Sequence, residues 1–287
     1  MLSEKGDIMD LSNIKIVADS SADLTSLDGV AFASAPLKII TSDKEYVDDE
    51  RLDVEQMVDE LDKYHGKSST ACPSPADWLN GFGDAETVFC VSITGALSGS
   101  YNSACVAKRD YEKQHPNRRV FVIDSLSAGP EIRLIIEKIR EYITLGKPFE
   151  DICKAIMEYK NKTSLLFMLE SMKNLARNGR VNPIVAKAAG LLGIRVVGKA
   201  SDKGELEPLE KCRGERNALT SIVQNMKKLG TNIGKVHIGH CLNENAANKL
   251  KEMIVSEFKS AKVEIYRIRG LCSFYAEKGG LMIGFER

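Results

Sequence analysis

The sequence lacks paired cysteines and long apolar runs. Its seven cysteines are scattered along 287 residues, and none forms a Cys-x-x-Cys pair. Disulfide frameworks and zinc sites use closely spaced cysteines, so neither is expected here, and such thiols are typical of a reducing compartment. No apolar run is long enough to cross a bilayer, and residues 1–13 lack the apolar centre of a signal peptide. These absences favour a cytoplasmic protein with no metal.

An excess of charge of either sign is also missing. Forty basic residues balance forty acidic residues, so the formal net charge is zero. Proteins that bind nucleic acids usually carry a basic excess, which makes nucleic acid an unexpected partner. Hydrophobic residues make up 43% and charged residues 28% of the chain, as is typical of globular proteins. The length suits one large domain or two of ordinary size.

The first half of the chain alternates apolar strands with helices. Apolar runs at 14–18, 87–93 and 120–123 predict three buried strands, and each run ends beside Asp, Ser or Thr. Most of these turns lead into a predicted helix, so the pattern indicates an α/β fold with a mostly parallel sheet and flanking helices. Ligands of such sheets bind beyond the carboxyl ends of the strands. We therefore expect the turns at Ser20 and Ser125 to meet near the turn after residue 93.

The second half mixes hairpins with helices and predicts a layered α+β domain. Residues 194–209 have the pattern of a hairpin around the turn Asp202-Lys203-Gly204. Residues 181–192 are apolar and rich in small side chains. The change of pattern near 159–163 predicts a boundary between a first domain, residues 1–160, and a second, residues 161–287. We expect the second domain to close a ligand cleft against the first.

Two short stretches are rich in hydroxyl groups. One contains Thr70, and the other contains Ser98, Gly99 and Ser100. Each is placed where a loop is expected to end and a helix to begin. The free N–H groups and partial positive charge of a helix start attract anions, so the two turns could together hold one carboxylate or phosphate. Ser and Thr also cap helices without binding any ligand, and their spacing alone favours that capping role.

Three classes of function remain open on the residues alone. They are a carrier of an anionic ligand, a binding module for a phosphorylated small molecule, and a hydrolase or acyltransferase with Ser98 or Cys72 as nucleophile. The enzyme alternative has no Gly-x-Ser-x-Gly turn, and only four histidines are available as a general base. His237 and His240 are expected on opposite faces of a strand, which argues against a shared metal. Gly81-Phe82-Gly83-Asp84 lacks the third glycine of a nucleotide-binding turn and is interpreted as a loop.

An ordered set of short motifs resembles the DegV family from one end of the chain to the other. No single motif is strongly specific, but their order along the chain is. The matching pieces are 17–24 (VADSSADL), 36–39 (PLKI), Tyr46 with Asp48, the Thr70 turn, 97–104 (LSGSYNSA), Asp124-Ser125 with Ser127, 175–181, 211–213 (KCR) and 279–285.

The resemblance implies that the protein binds a long-chain fatty acid between two α/β domains. It further implies that a separate ATP-dependent fatty acid kinase receives the bound acid, so that the protein is a carrier and not a catalyst, with no cofactor of its own. The carboxylate-binding threonine and serine of the family fall on Thr70 and Ser98. The arginine of its Gly-Gly-Arg motif falls on Arg180.

This chain departs from the family pattern around the expected carboxylate site. The family's Thr-Ser-Gln-Pro is here Thr70-Ala71-Cys72-Pro73, and the family's near-C-terminal histidine falls on Tyr275. A tyrosine keeps a hydroxyl donor but cannot become cationic. We therefore expect weaker selection of the head group than in a typical member, with the acyl chain supplying most of the affinity.

Overall fold

The structure, a computed structural model, describes residues 13–184 and 193–287. The apolar stretch at 181–192 therefore lies outside the described residues from position 185 onward. The strands, in chain order, are β1 (Ile14–Asp19), β2 (Ala31–Ala35), β3 (Lys38–Ile40), β4 (Glu45–Val47), β5 (Ser69–Ala71), β6 (Thr87–Ser92), β7 (Arg119–Asp124), β8 (Thr163–Leu169), β9 (Ile194–Ala200), β10 (Leu206–Arg213), β11 (Lys235–His240), β12 (Lys262–Arg267) and β13 (Leu281–Glu286). The helices are α1 (Val54–Lys63), α2 (Pro75–Phe82), α3 (Ser100–Gln114), α4 (Pro130–Thr144), α5 (Phe149–Lys160), α6 (Lys173–Arg177), α7 (Glu215–Leu229), α8 (Glu244–Glu257) and α9 (Gly270–Ala276).

The first half forms the parallel sheet that the alternation of strands and helices predicted. Its order is β2-β1-β6-β7, and all neighbouring strands run parallel. The three strands predicted as buried each match the structure to within one residue at either end. Strand β2 was not predicted, because apart from Phe32 it has only Ala and Ser side chains and therefore carries little apolar signal.

A smaller antiparallel sheet, β4-β3-β5, lies beside the parallel one. Residues 37–40 and 45–47 have the sequence pattern of a short hairpin with its turn at 41–44, and the structure confirms it as β3 and β4. Thr70 lies within β5 and not at the start of a helix, which corrects our expectation. The helix that follows, α2, is capped by Ser74 in a reciprocal capping box with Asp77. Residues 81–82, interpreted above as loop, form the last turn of α2.

The second half is built on a six-stranded mixed sheet, as the layered α+β prediction required. Its order is β10-β9-β8-β13-β11-β12, and only β11 and β12 run parallel. Side chains alternate along β8. Leu166 and Met168 pack into one core with α7 and α8, while Leu165, Phe167 and Leu169 line a cavity. Because alternate residues of a strand point to opposite faces, the cavity lies on the face away from α7 and α8.

Helix α4 packs between the two large sheets. Ile132 and Ile135 on α4 belong to the core of the parallel sheet, and the same helix contacts β11 and β13 of the mixed sheet. Gly284 on β13 allows this approach, since a Cβ there would lie 2.5 Å from the backbone nitrogen of Glu131. This packing sets the separation of the sheets, and hence the space between them. None of the described helices is long and apolar enough to span a bilayer.

Candidate functional site

A cavity lies between the two halves of the protein, beyond the carboxyl end of β6. It encloses about 690 Å³ of space, a volume that includes the solvent at its open mouth. Its walls are mostly apolar and come from both halves of the chain. The apolar lining consists of Leu37, Ile93, Leu97, Ala128, Leu165, Phe167, Leu169, Leu175, Leu206, Leu271, Cys272, Ala276 and Met282.

Four polar side chains complete the cavity wall: Thr70, Ser98, Arg180 and Tyr275. The hydroxyl groups of Thr70 and Tyr275 lie 2.8 Å apart and are hydrogen-bonded. The Nε of Arg180 donates to the backbone carbonyl of Leu97 at 3.1 Å, which joins this arginine of the second half to the Ser98 turn. All four polar residues were named from the sequence, and the structure brings them to one cavity.

The two hydroxyl-rich turns are adjacent in the structure. The hydroxyl of Ser103 on α3 donates to the carbonyl of Pro73 at 2.7 Å. The exposed thiol of Cys72 lies beside Gly99, 3.2 Å from the position that a Cβ on this glycine would take. Gly99 itself is exposed and is the N-cap of α3, with no side chain to cap the helix. The start of α3 therefore stands next to the end of β5, although Thr70 itself is in a strand.

Ser98 and Ser100 have different partners. The hydroxyl oxygen of Ser98 accepts the N–H of Ser100 at 3.2 Å, a local contact of the kind that the capping alternative predicted. The hydroxyl of Ser100 donates to the buried carboxylate of Asp19 at 2.5 Å, and Asp19 also accepts the N–H of Ile93 at 2.9 Å. The turns after β1 and β6 thus converge as expected, but Ser100 faces Asp19 and is not part of the cavity wall.

The two remaining predicted site residues also lie outside the cavity wall. Ser20 is buried, and its oxygen accepts the N–H of Leu37 at 3.0 Å. Ser125 donates to the carbonyl of Ser127 at 3.0 Å and lines a separate polar cleft beside Glu131. Four of the eight predicted residues therefore meet at the cavity, and the other four support or adjoin it.

The polar end of the cavity carries one permanent cation. Arg180 forms no ion pair with any carboxylate in the described ranges, and its guanidinium donates to backbone carbonyls. Burial raises the pKa of Tyr275, while the hydrogen bond from Thr70 and the charge of Arg180 oppose that rise. Tyr275 is therefore a neutral phenol at ordinary pH. The arrangement of two hydroxyls, one phenol and one guanidinium suits an anionic head group.

Helix α9 supplies four cavity residues, although the sequence pattern did not predict this helix. Its first N–H groups, those of Gly270 and Leu271, donate to the buried carboxylate of Asp48 at 2.9 Å each. The N–H of Arg269 donates to Asp23 at 2.7 Å. These two carboxyl groups cap the helix from more than 200 positions away, so no local pattern could reveal them. The paired glycines after the apolar run at 271–276 were the one available signal of a helix end.

The histidines do not assemble with a candidate nucleophile. None of the four is hydrogen-bonded to Ser98 or Cys72 within the described part of the chain. His237 is buried, with Nε2 placed 3.1 Å from Glu137, whereas Nδ1 of His240 accepts a backbone N–H. The two histidines thus have separate partners, in keeping with the expected opposite faces of the strand. The geometry of the cavity favours binding over nucleophilic chemistry.

Comparison with known proteins gives the same family along the whole described chain. The family model described as "Uncharacterised protein, DegV family" matches residues 13–287. A DegV domain-containing protein of Streptococcus pneumoniae is 43% identical over 276 residues, which cover 95% of this chain and 98% of that protein.

Solved structures agree with this match. A DegV family protein from Eubacterium eligens, loaded with heptadecanoic acid, superimposes with a TM-score of 0.93 at 44% identity, over 95% of this chain and 99% of the other. The fatty acid kinase B3 protein of S. pneumoniae, loaded with linoleic acid, has a TM-score of 0.93 at 42% identity, over 96% and 99%. The family model covers nearly the whole chain, and the relatives are more than 40% identical over 95% of it or more, so the chain belongs to the DegV family.

Proposed function

We propose that the protein binds one long-chain fatty acid in the cavity between its two halves. The carboxylate lies at the end formed by Thr70, Ser98, Arg180 and Tyr275, and the acyl chain lies against the apolar lining. The observation that carries this proposal is the composition of the wall, in which all four polar side chains come from the residues predicted to bind the ligand and every other lining residue is apolar.

The energetics of such a site favour a lipid over a small polar acid. Each buried methylene contributes about 0.8 kcal/mol, so a long acyl chain supplies on the order of 10 kcal/mol of gross transfer free energy. Each hydrogen bond to the charged head group contributes roughly 1.5–3 kcal/mol. The acyl chain therefore sets most of the affinity, and the polar residues set the orientation.

We further propose that the protein is a carrier that presents the acid to a kinase in the cytoplasm. The fatty acid kinase B3 protein, a relative with 42% identity, supports the kinase as partner. The seven free cysteines are consistent with a reducing compartment.

All strands of the parallel sheet precede residue 125, and all strands of the mixed sheet follow residue 162. This division supports two domains, residues 1–160 and residues 161–287.

The first test is native mass spectrometry of the purified protein, followed by extraction and analysis of bound lipid. We expect one long-chain fatty acid per chain. A matched pair of variants assigns the site: Ala128→Phe fills the cavity, whereas Ala76→Phe places the same side chain on the exposed face of α2.

The proposal expects Ala128→Phe to be empty and Ala76→Phe to be loaded. A wild-type protein that is empty and also fails to take up added fatty acid would contradict it. Equal loading of the two folded variants would place the ligand elsewhere.

A further inference from the structure

Glu277 directly follows α9 and has a backbone conformation that is unusual for its residue type. Its φ is 54° and its ψ is 172°, close to a region of backbone space that glycine occupies almost alone. The N–H of Glu277 donates to the carbonyl of Ser273 at 3.0 Å, which ends the helix. A residue other than glycine keeps such a conformation only where contacts with its surroundings compensate the strain.

The side chain of Glu277 makes such a contact at the start of α6. Its Oε1 accepts the backbone N–H of Asn174 at 3.0 Å. This N–H belongs to the first turn of α6, where the helix itself provides no acceptor. The side-chain amide of Asn174 donates in turn to the carbonyl of Phe274 on α9 at 2.8 Å. Two hydrogen bonds therefore join α6 to α9, although the helices are about 100 positions apart in the sequence.

Each of these two helices positions a polar residue of the cavity. Tyr275 lies in α9, two positions before Glu277. Arg180 lies just beyond the end of α6, and its N–H donates to the carbonyl of Leu175 on α6 at 2.8 Å. Leu175 and Arg180 line the cavity, whereas Glu277 lines a separate polar cleft. Glu277 is therefore placed to act on the polar end of the cavity through α6 and not by contact with a ligand.

We propose that Glu277 is a positioning residue for the head-group end of the cavity. By holding the start of α6 against α9, it fixes the guanidinium of Arg180 relative to the hydroxyl of Tyr275. This inference rests on the proposed function and adds a residue that determines how well a carboxylate is bound. Glycine at position 277 would relieve the strained backbone but would offer α6 no acceptor. The glutamate therefore lowers backbone stability but fixes the head-group site.

The experiment compares Glu277→Gln, Glu277→Gly and Glu277→Ala on the full chain. Isothermal titration calorimetry with palmitic acid and methyl palmitate gives the affinities, and urea titration gives the stability. Glu277→Gln keeps an oxygen acceptor for the Asn174 N–H and should bind the acid within about threefold of wild type. Glu277→Gly and Glu277→Ala lack the acceptor. Each should lose about tenfold in affinity for the acid, the scale of one weakened hydrogen bond to a charged group, and less than about threefold for the ester.

The stability measurement separates the strained backbone from the hydrogen bond. Glu277→Gly and Glu277→Ala lack the same acceptor, but only alanine keeps the strain, so Glu277→Gly should have the higher urea midpoint of unfolding. The two variants should nevertheless lose equal affinity for the acid. If Glu277 had a merely structural role, the loss of affinity would follow the loss of stability and would be smaller in Glu277→Gly. That result would overturn the inference.

Two further outcomes also decide against a positioning role. If Glu277 acted only through its negative charge near an anionic head group, all three variants would bind the acid more tightly than wild type. In an Arg180→Gln background, Glu277→Gly should cause no further loss, because no guanidinium remains to be positioned. A full additional loss in that background would show that Glu277 does not act through Arg180.

The same titrations distinguish failure of this inference from failure of the proposed function. A wild-type protein that binds neither the acid nor the ester overturns the proposed function itself. A wild-type protein that binds both, with an acid affinity that none of the variants changes, overturns only the role of Glu277. Should Glu277→Ala fail to fold, Glu277→Gly against Glu277→Gln decides, since equal acid affinities of these two variants contradict a role for the acceptor.

Discussion

Replacement of Tyr275 by phenylalanine removes one hydroxyl from the polar end of the cavity and changes little else. The ring is held by apolar contacts, including Phe274 with ring centroids 4.9 Å apart, so it should stay in place. The hydroxyl that is lost lies 2.8 Å from Thr70. Thr70 is only half-buried, so water can replace the missing partner in the free protein, and the free energy of unfolding should fall by about 1 kcal/mol or less.

The effect on binding should be larger, because the bound head group is charged. A hydrogen bond to a charged group contributes about 1.5–3 kcal/mol, which corresponds to roughly a 10- to 150-fold loss of affinity for a fatty acid. The methyl ester of the same acid carries no charge and should lose about tenfold or less. Since burial raises the pKa of Tyr275, the phenol keeps its proton throughout ordinary pH. The ratio of wild-type to variant affinity should therefore be the same at pH 6 and pH 9.

Isothermal titration calorimetry with palmitic acid and methyl palmitate measures both affinities. Tyr159→Phe is the matched control, since the Tyr159 hydroxyl bonds Glu286 at 2.7 Å and does not line the cavity. An equal loss for acid and ester, or a loss for the acid no greater than in Tyr159→Phe, would refute the assignment of Tyr275 to the carboxylate.

Three further predictions concern the supporting structure. Gly204 has a φ of +78°, and a Cβ there would lie 2.1 Å from the hydroxyl of Thr94. Gly204→Ala should therefore lower the free energy of unfolding by about 1–3 kcal/mol in urea titration. An unchanged urea midpoint of unfolding would contradict this contact. Burial alone would raise the pKa of Glu137, but the hydrogen bond and charge of His237, together with nearby cations, lower it to about 2. The ionised group therefore stabilises the fold above its unfolded pKa of about 4.5, and this stabilisation is lost as the pH falls. Between pH 5 and pH 3, the stability advantage of wild type over Glu137→Gln should shrink by about 2 kcal/mol. Burial raises the pKa of Asp23 to about 8, although the hydrogen bond from the Arg269 N–H opposes the rise. The folded state then holds a proton that the unfolded state releases, so wild type should lose on the order of 2 kcal/mol of stability relative to Asp23→Asn between pH 5 and pH 7 in thermal or urea unfolding. Parallel pH profiles of the two proteins would show that this carboxyl is not protonated.

Several elements followed from patterns of only a few residues. Strands β1, β6 and β7 were predicted to within one residue, because short apolar runs bounded by polar turns are characteristic of a buried parallel sheet. Both hairpins were predicted from their turns, 41–44 and 202–204, since turn residues determine the chain reversal locally. Of the candidate site, Thr70 and Ser98 stood out as hydroxyl-rich turns, whereas Tyr275 gained its role only from the family resemblance.

Other features could not be predicted because their causes lie far away in the sequence. Thr70 was expected at a helix start, but pairing of β5 with β3 holds it in a strand. Helix α9 depends on capping by the carboxyl groups of Asp23 and Asp48. The pairing of Phe167 with Gly198 depends on the register of β8 with β9. None of these partners lies within the few neighbouring residues that local propensity reflects.

The sequence by itself therefore determined the elements, the two kinds of sheet and the polar residues that could meet an anion. Propensity, periodicity and turn chemistry act over a few residues, so they can be read without the fold. The tertiary structure decided that four of these polar residues meet in one cavity, and that the apolar wall of this cavity comes from both halves of the chain. Those outcomes depend on packing between strands and helices distant in the chain, where an ångström decides whether a side chain fits.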